Sequence, residues 1–216
     1  MSGAEALLGR ICLPAAEELG LLFRDKIGEW RRRNALATVA KAQTRLEQAA
    51  AEGRHAQPRL IMESLNHASW ADSDQVQEMW AGLLASSCTE DGKDDSNWIF
   101  INLLGQLTAM QATLFRHSCE HAIKVVLPSG LLGAEFLYRT ADDLKQASGC
   151  SDIQRIDREL DHLCALGLIA AGFRGGLVSP PDADLRPTAL GLHLFVRSQG
   201  STDDPIVYFG LAGAQA

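Results

Sequence analysis

The chain has 216 residues, 46% of them hydrophobic, which suffices for one substantial core or for one core plus a small module. Its formal net charge of −7 at pH 7 argues against nonspecific nucleic-acid binding, because affinity for phosphates comes mainly from Lys and Arg. Five cysteines without a C-x-x-C pair, and an N-terminus without a basic signal-peptide region, predict reduced thiols and a cytoplasmic protein.

The first 53 residues predict a long basic helix. Pro14 suits a first helical turn, and Gly53 is typical of a helix C-terminus. Apolar residues recur at helical spacing at Leu19, Leu22, Phe23, Ile27, Trp30, Leu36, Val39, Ala42 or Gln43, and Leu46. Arg31, Arg32 and Arg33 follow Trp30, so this helix either packs on the domain or contacts anionic lipid or a partner. Interleaved acidic residues favour packing on the domain.

The stretch from Ala68 to Ser87 has the clearest helical signals in the chain. Asp72 and Ser73 predict an N-cap, and Asp74 adds negative charge to the first turn. Apolar residues at spacings of three and four predict one buried face, formed by Val76, Met79, Trp80, Leu83 and Leu84. Small residues at Ala81, Gly82, Ala85 and Ser86 predict close approach of a neighbouring helix.

Three further helices are expected in the first domain. One runs from Arg59 to Ala68, with Leu60, Ile61, Leu65 and Met62 as candidates for burial. A polar loop follows from Thr89 to Asn97, and a helix resumes at Trp98. Thr108 and Gln111 form a capping box for a helix from Ala109 to His121.

These patterns resemble the bacterial abortive infection alpha family. The resemblance rests first on the run Q-x-x-W-A-x-L-L-A-S-S that starts at Gln77 and on the acidic loop after it. It rests also on the stretch from Pro14 to Gly20, which leads to Asp25-Lys26 and Trp30-Arg31. A third match is the pattern L-x-x-L-T-x-x-Q-A-x-L within Leu103 to Leu114. It covers roughly residues 10 to 200 and implies a helical fold with a role in phage defence. It supplies no catalytic motif.

No catalytic, cofactor or metal site is predicted. The chain has no P-loop, no dinucleotide-binding G-x-G-x-x-G, no G-x-S-x-G and no H-E-x-x-H. His117 and His121 share a helical face at the spacing of a two-histidine metal edge, but a third ligand is not evident. The apolar stretch from Val125 to Leu137 is too short to span a bilayer.

The last third of the chain predicts a winged-helix module. Thr140 with Asp143, and Ser151 with Gln154, are capping boxes for two helices separated by Ser148-Gly149-Cys150. Gly167 is expected to end the second helix, Gly175-Gly176 to form a hairpin tip beside Arg174, and Thr188 to start a last helix. Arg155 and Arg158 lie on the second helix among four acidic residues, which disfavours DNA reading.

The predicted fold class is mainly α, with a multi-helix domain over residues 1–126, a winged-helix module over 127–200, and a C-terminal strand at Ile206 to Phe209 before a flexible tail. The predicted function is a non-enzymatic phage-defence role through protein partners or self-association. A DNA-binding regulator and a membrane-associating effector are the alternatives. The candidate interaction residues are Trp30, Arg31, Arg32, Arg33, Arg155, Arg158 and Arg174.

Overall fold

A computed structural model describes residues 16–51, 54–173 and 182–212. The helices in this part are α1 (Ala16–Gln48), α2 (Pro58–Ala68), α3 (Asp74–Ser86), α4 (Trp98–Leu104), α5 (Ala109–His121), α6 (Ala141–Ser148), α7 (Ile153–Ala165), α8 (Ala189–Ser198) and α9 (Pro205–Tyr208). The strands are β1 (Lys124–Val126), β2 (Leu132–Ala134), β3 (Tyr138–Thr140) and β4 (Asp182–Asp184). The protein is therefore mainly helical, with small antiparallel sheets.

Helix α3 lies at the centre of the fold. It packs against α1 and also contacts α2, α4, α5 and α8. Each residue from Met79 to Ser87 is buried, although the sequence predicted only one buried face. The other faces of α3 are buried as well because helices such as α1 and α8 pack against different sides of it. The predicted close approach at the small residues is confirmed, since Ala42 of α1 packs against Ala81 and Ala85.

The buried face of α1 differs in part from the predicted one. Ala42 is buried as predicted, but Ile27, Leu36 and Val39 are exposed, and Asn34 and Thr38 are buried instead, each four residues before the next buried position. Asn34 donates to the Ser69 carbonyl at 3.2 Å, so its amide is satisfied where the helices meet. Small side chains on α3 allow this close contact, and bulkier residues of α1 are left on the outside. The helix ends at Gln48, five residues before the predicted end at Gly53. Pro14 and Gly53 themselves, and the side chains of Leu19, Leu22 and Phe23, lie outside the described residues.

An ionic cluster fastens α1 to α3. Glu78 lies 3.2 Å from Lys41 and 2.6 Å from Arg45, and Lys41 also pairs with Asp74. Arg45 donates to the Gln199 carbonyl at 2.7 Å, which ties α1 to the segment after α8. Burial opposes ionisation of Glu78, but hydrogen bonds from Arg45 and Lys41 outweigh burial and lower its pKa. Glu78 therefore stays charged at neutral pH.

The helices after residue 140 follow the predicted order, with one corrected cap. Thr140 and Asp143 form the capping box of α6, Gly149 has φ 67°, and Thr188 caps α8. The box predicted from Ser151 and Gln154 is wrong, because Asp152 is the N-cap of α7 and accepts from Gln154 N and Arg155 N. A carboxylate one residue closer to the helix reaches both amides. Arg174 and the Gly175-Gly176 tip lie outside the described residues.

A β-hairpin that the sequence analysis missed follows α5. β1 pairs with β2 in antiparallel register, with Val125 opposite Gly133 and Val126 opposite Leu132. The turn between them runs through Pro128-Ser129-Gly130, where Gly130 has φ 80°. Two apolar runs around a Pro-Ser-Gly turn are a recognisable hairpin pattern. Most of the apolar stretch from Val125 to Leu137 therefore lies in a two-stranded antiparallel hairpin.

The strand predicted for Ile206 to Phe209 is wrong, because the chain forms the short helix α9 there. Pro205 occupies the first turn, and the Asp204 carboxylate accepts from Ile206 N at 2.8 Å. This Asp-Pro start outweighs the strand preference of Ile206 and Val207. The predicted flexible tail falls largely on residues 213–216, outside the described residues.

One continuous hydrophobic cluster joins helices α2 to α8, whereas α1 packs on α3 through a separate small cluster that includes Ala42 and Ala81. It extends from Leu60 on α2 through Trp80 and Phe115 to Leu160 on α7 and Phe195 on α8. The cluster includes residues from both sides of position 126. Division into a 1–126 domain and a 127–200 module stays a prediction.

Candidate interaction surfaces

The basic stretch at Trp30 to Arg33 divides into an inward and an outward part. Arg31 donates to Ser69 Oγ at 2.9 Å and to Asn66 Oδ1 at 3.0 Å, and its guanidinium lies 4.3 Å from the centre of the Trp70 ring. Trp30 meets the edge of Trp70 at a centroid distance of 6.0 Å. Arg32 and Arg33 are exposed. Two of the four predicted interaction residues therefore contact the protein's own α2–α3 connection.

The predicted residues on α7 are exposed. Arg155 lies 3.8 Å from Glu159 in the next turn, and Glu159 also accepts a hydrogen bond from Thr108 at 3.0 Å. Arg158 points outward on the same helix. Helix α7 packs on α5 and α6, whereas the Arg31 end of α1 packs on α2 and α3. The structure therefore does not bring the two predicted basic groups into one surface.

The outer face of the β1–β2 hairpin is an apolar surface that sequence reasoning missed. Successive strand residues point to opposite sides, so Ile123, Val125, Leu127 and Leu131 share one side of the ribbon. Leu132 points to the other side and is buried. Ile123 and Leu131 are 64% and 65% exposed. The hairpin thus has apolar residues on its solvent side as well as on its core side.

The side chain of Leu127 is held in this surface by a glycine. A Cβ placed on Gly133 would lie 3.1–3.3 Å from the Leu127 side chain, so Leu127 lies across Gly133 on the outer face. On the inner face the Lys124 ammonium lies 5.2 Å from the centre of the Phe209 ring. The ribbon is therefore docked through its inner face and presents its outer face to solvent.

The two histidines of α5 are engaged with protein groups. Their rings stack with centroids 4.1 Å apart, and Arg139 donates to His117 Nε2 at 3.2 Å. His121 Nδ1 lies 2.9 Å from the His117 carbonyl, which can only accept, so this nitrogen carries a proton. Burial, with His121 and Arg139 nearby, holds the pKa of His117 below its ordinary value. Within residues 16–51, 54–173 and 182–212, no three His, Cys, Asp or Glu side chains are placed to hold a metal ion.

A cleft opens where the α2–α3 connection meets the segment between α4 and α5. It has a volume of about 210 Å³, and its lining includes His67, Trp70, Asp72, Ser73 and Trp80. The His67 and Trp80 rings are parallel, with centroids 5.4 Å apart. Trp80 lies in the core as predicted and also lines this cleft. For Asp72 and Ser73 the sequence predicts only a capping role. Three aromatic rings and two oxygen-bearing side chains around one cleft suit ligand binding better than covalent chemistry.

Comparison with protein families gives one match. A model of the abortive infection alpha family covers residues 31–185, which is well over half of the chain and extends from the Arg31 turn of α1 to the residue after β4. The match confirms the resemblance over a narrower range than expected, since Pro14 to Gly20 lies outside it. No curated protein and no solved structure matches the chain. Among the described helices, none has the length and apolar composition needed to cross a membrane. The chain belongs to the abortive infection alpha family.

Proposed function

We propose that this protein takes part in phage defence by binding another protein through the outer face of the β1–β2 hairpin, without catalysing a reaction. Its family is associated by name with abortive infection, a phage-defence role. The observation that carries the binding mode is the row formed by Ile123, Val125, Leu127 and Leu131 on that face.

The chemistry of this row favours a protein partner. Contiguous apolar side chains exposed to water are characteristic of interaction surfaces, whereas singly scattered ones need no explanation. The chain carries a net charge of −7, yet the row has no charged side chain until Glu135 at its end. An apolar hairpin face of this kind matches an apolar groove on the partner, because neither surface then has to desolvate a charged group.

The experiment is a plaque assay with phage-infected bacteria that express the full chain. The double variant Ile123→Asp with Leu131→Asp places two charges on the outer face and is expected to abolish protection. The matched control is Leu36→Asp with Met62→Asp, which changes side chains that are 56% and 68% exposed on other elements. Equal protection by the hairpin variant and the wild type would refute the proposed surface.

Fold and partner are checked on the purified chains. Both double variants are expected to keep the wild-type circular dichroism spectrum, since all four residues are exposed. Light scattering on the wild type separates two kinds of partner. A doubled mass that reverts to the single-chain mass in the hairpin variant identifies the partner as a second copy. A single-chain mass in both identifies it as a different protein.

A second candidate function is DNA binding by a winged-helix module. The observation in its favour is that Gln154, Arg155 and Arg158 are all exposed on α7, the second helix of the α6–α7 pair. The order β3, α6, α7, β4, α8 supports a winged-helix assignment, and in such a module the second helix enters the major groove. Asp161 is exposed on the same helix and reduces its attraction for phosphate.

A gel-shift assay at 50 mM and 200 mM salt tests this candidate. Specific binding should weaken with salt and should be lost in Arg155→Ala with Arg158→Ala. Arg32→Ala with Arg33→Ala removes the same charge from α1 and should leave binding intact. Absence of a shift at both salt concentrations would refute DNA binding.

A further inference from the structure

The cleft beside α3 has a fixed aromatic wall. Trp80 is only 2% exposed, and its ring lies parallel to the His67 imidazole, with 1° between the planes. Glu63 lies 3.4 Å from His67 Nε2. Gly105 closes the other side, because a Cβ there would stand 2.7 Å from His67 Cε1. These contacts hold His67 and Trp80 in place without a ligand.

Trp70 forms the exposed rim of the same cleft. It is 55% exposed, which is unusual for so large an apolar ring. Trp30 meets its edge, and the Arg31 guanidinium lies over its ring at 4.3 Å. The position of this indole is therefore set by α1 rather than by burial. Part of the ring is left open to the cleft that it lines.

Two polar side chains of the cleft, Asp72 and Ser73, carry oxygen atoms that can accept hydrogen bonds. Asp72 forms no ion pair or hydrogen bond with any residue in the described part of the chain, in contrast to Asp74, which pairs with Lys41. Ser73 is the N-cap of α3, but its hydroxyl makes no capping hydrogen bond. A carboxylate and a hydroxyl oxygen are thus both available beside the aromatic rings.

Aromatic faces next to an unpaired carboxylate attract cations. The negative face of an indole ring stabilises a guanidinium or ammonium group, and the effect increases when the group is partly removed from water. The protein itself uses this contact at Arg31 on Trp70 and at Arg59 on Trp98, where the guanidinium lies 3.6 Å from the ring centre. A neutral ligand would leave the Asp72 carboxylate without a counter-charge.

We propose that this cleft binds a small organic cation of the guanidinium class, which contacts Trp70 and Trp80 and pairs with Asp72. The N–H donors of a guanidinium group match the acceptor oxygens of Asp72 and Ser73. The source of the group is either a free small molecule or an arginine side chain on another protein, since both present the same chemistry. The inference does not depend on the hairpin surface or on the defence role.

The test is an NMR titration of the full chain with N-ethylguanidinium chloride, observed at the four tryptophan indole N–H signals and carried out at constant ionic strength. Trp30→Phe, Trp70→Phe and Trp98→Phe assign three of these signals, and the fourth is that of Trp80. The signals of Trp70 and Trp80 are expected to shift in a saturable manner, with a dissociation constant of about 1 mM, as for a fragment of few atoms. The control ligand N-ethylurea has nearly the same shape without the charge and should cause no saturable shift.

Variants of the rim carboxylate complete the test. Asp72→Asn should weaken binding about tenfold or more, since one charge-assisted contact is lost. Asp72→Glu keeps the charge and should retain most of the affinity. Asp161→Asn removes an exposed carboxylate on α7 and should change nothing. Asp72 is exposed and unpartnered, so these substitutions should leave the fold unchanged.

Two outcomes would overturn the proposal: equal binding of N-ethylurea, or unchanged binding by Asp72→Asn. Shifts confined to Trp30 and Trp98 would also overturn it, because these rings lie outside the cleft lining. The capped tripeptide Gly-Arg-Gly separates the two sources. Tighter binding of the peptide than of N-ethylguanidinium identifies an arginine on a partner protein, and equal or weaker binding identifies a free small cation.

Discussion

Gly82 of α3 lies directly against the carbonyl of Ser198 at the end of α8. A Cβ added at Gly82 would stand 1.8 Å from the Ser198 oxygen and 2.3 Å from its carbonyl carbon. The close approach therefore involves backbone atoms, which cannot rotate away as a side chain can. This contact joins the central helix to the last long helix of the fold, and a glycine at position 82 is what permits it.

Gly82→Ala is expected to destabilise the protein by about 1–3 kcal/mol or more, because the added methyl group forces the two helices apart. Urea unfolding followed by circular dichroism measures the change. The control is Gly28→Ala on α1, where an added Cβ meets nothing within 4 Å. That variant should be stabilised by up to ~1 kcal/mol through helix propensity. Similar losses in both variants would contradict the packing argument.

Arg31 and Arg32 are expected to contribute differently to stability. Arg31→Ala removes hydrogen bonds to Ser69 and Asn66 together with the contact over Trp70, and should cost about 1–2 kcal/mol. Arg32 is exposed, so Arg32→Ala should cost less than ~0.5 kcal/mol. Thermal unfolding of both variants provides the comparison. If Arg31→Ala were as stable as Arg32→Ala, the Arg31 contacts would carry no net free energy.

Asp152, and not its neighbour Ser151, is expected to stabilise the N-terminus of α7. Asp152→Ala leaves the N–H groups of Gln154 and Arg155 without their carboxylate acceptor, and should cost ~1 kcal/mol. Ser151→Ala should be nearly neutral because Ser151 lies outside the cap. Chemical denaturation of the two variants decides between these residues. A larger loss in Ser151→Ala would restore the capping box that the sequence suggested.

His117 should make stability depend on pH. Burial first, then His121 and Arg139, lower the pKa of His117 below 6.5, so the folded protein binds this proton less readily than the unfolded chain. The stabilising contribution is therefore complete above pH 6.5 and is lost as the pH falls toward the folded pKa. His117→Gln should flatten the fall in unfolding free energy between pH 7 and pH 5.

An NMR titration of His117 measures its pKa directly. Glu120 and Asp143 oppose the shift, and Arg139 contributes to it. Arg139→Gln should therefore raise the pKa of His117, while Arg116→Gln, which breaks the surface pair with Glu120, should raise it less. A value for wild-type His117 at or above 6.5 would contradict the arrangement described for this helix face.

Local hydrogen-bond patterns were the most predictable part of the fold. The capping boxes of Thr108 with Gln111 and of Thr140 with Asp143 are present, and Gly167, with φ 69°, follows α7. Each of these features depends on atoms three or fewer residues apart, so a short sequence window contains all the partners. The Asp152 cap shows the limit, because two neighbouring residues with capping side chains competed for one position.

The exposed surfaces were much less predictable. Apolar spacing predicted that Leu36 and Val39 of α1 would be buried. In the structure they are exposed, and Asn34 and Thr38 are the residues of α1 that are buried. The sequence patterns predicted neither the apolar outer face of the β1–β2 hairpin nor the cleft beside α3. The cleft joins His67 in the last turn of α2, Trp70 after α2, Trp80 within α3 and Gly105 after α4. No single sequence window shows that these residues meet.

The sequence by itself determined where most of the helices begin and end, because capping and helical periodicity act between near neighbours in the chain. Only the tertiary structure decided which side of α1 is buried, that Ile123 and Leu131 face solvent, and that Trp70, Trp80 and Asp72 line one cleft. These outcomes depend on contacts between distant segments. Their free energy depends on how closely two elements can approach, which at Gly82 is set by a backbone carbonyl more than a hundred residues away.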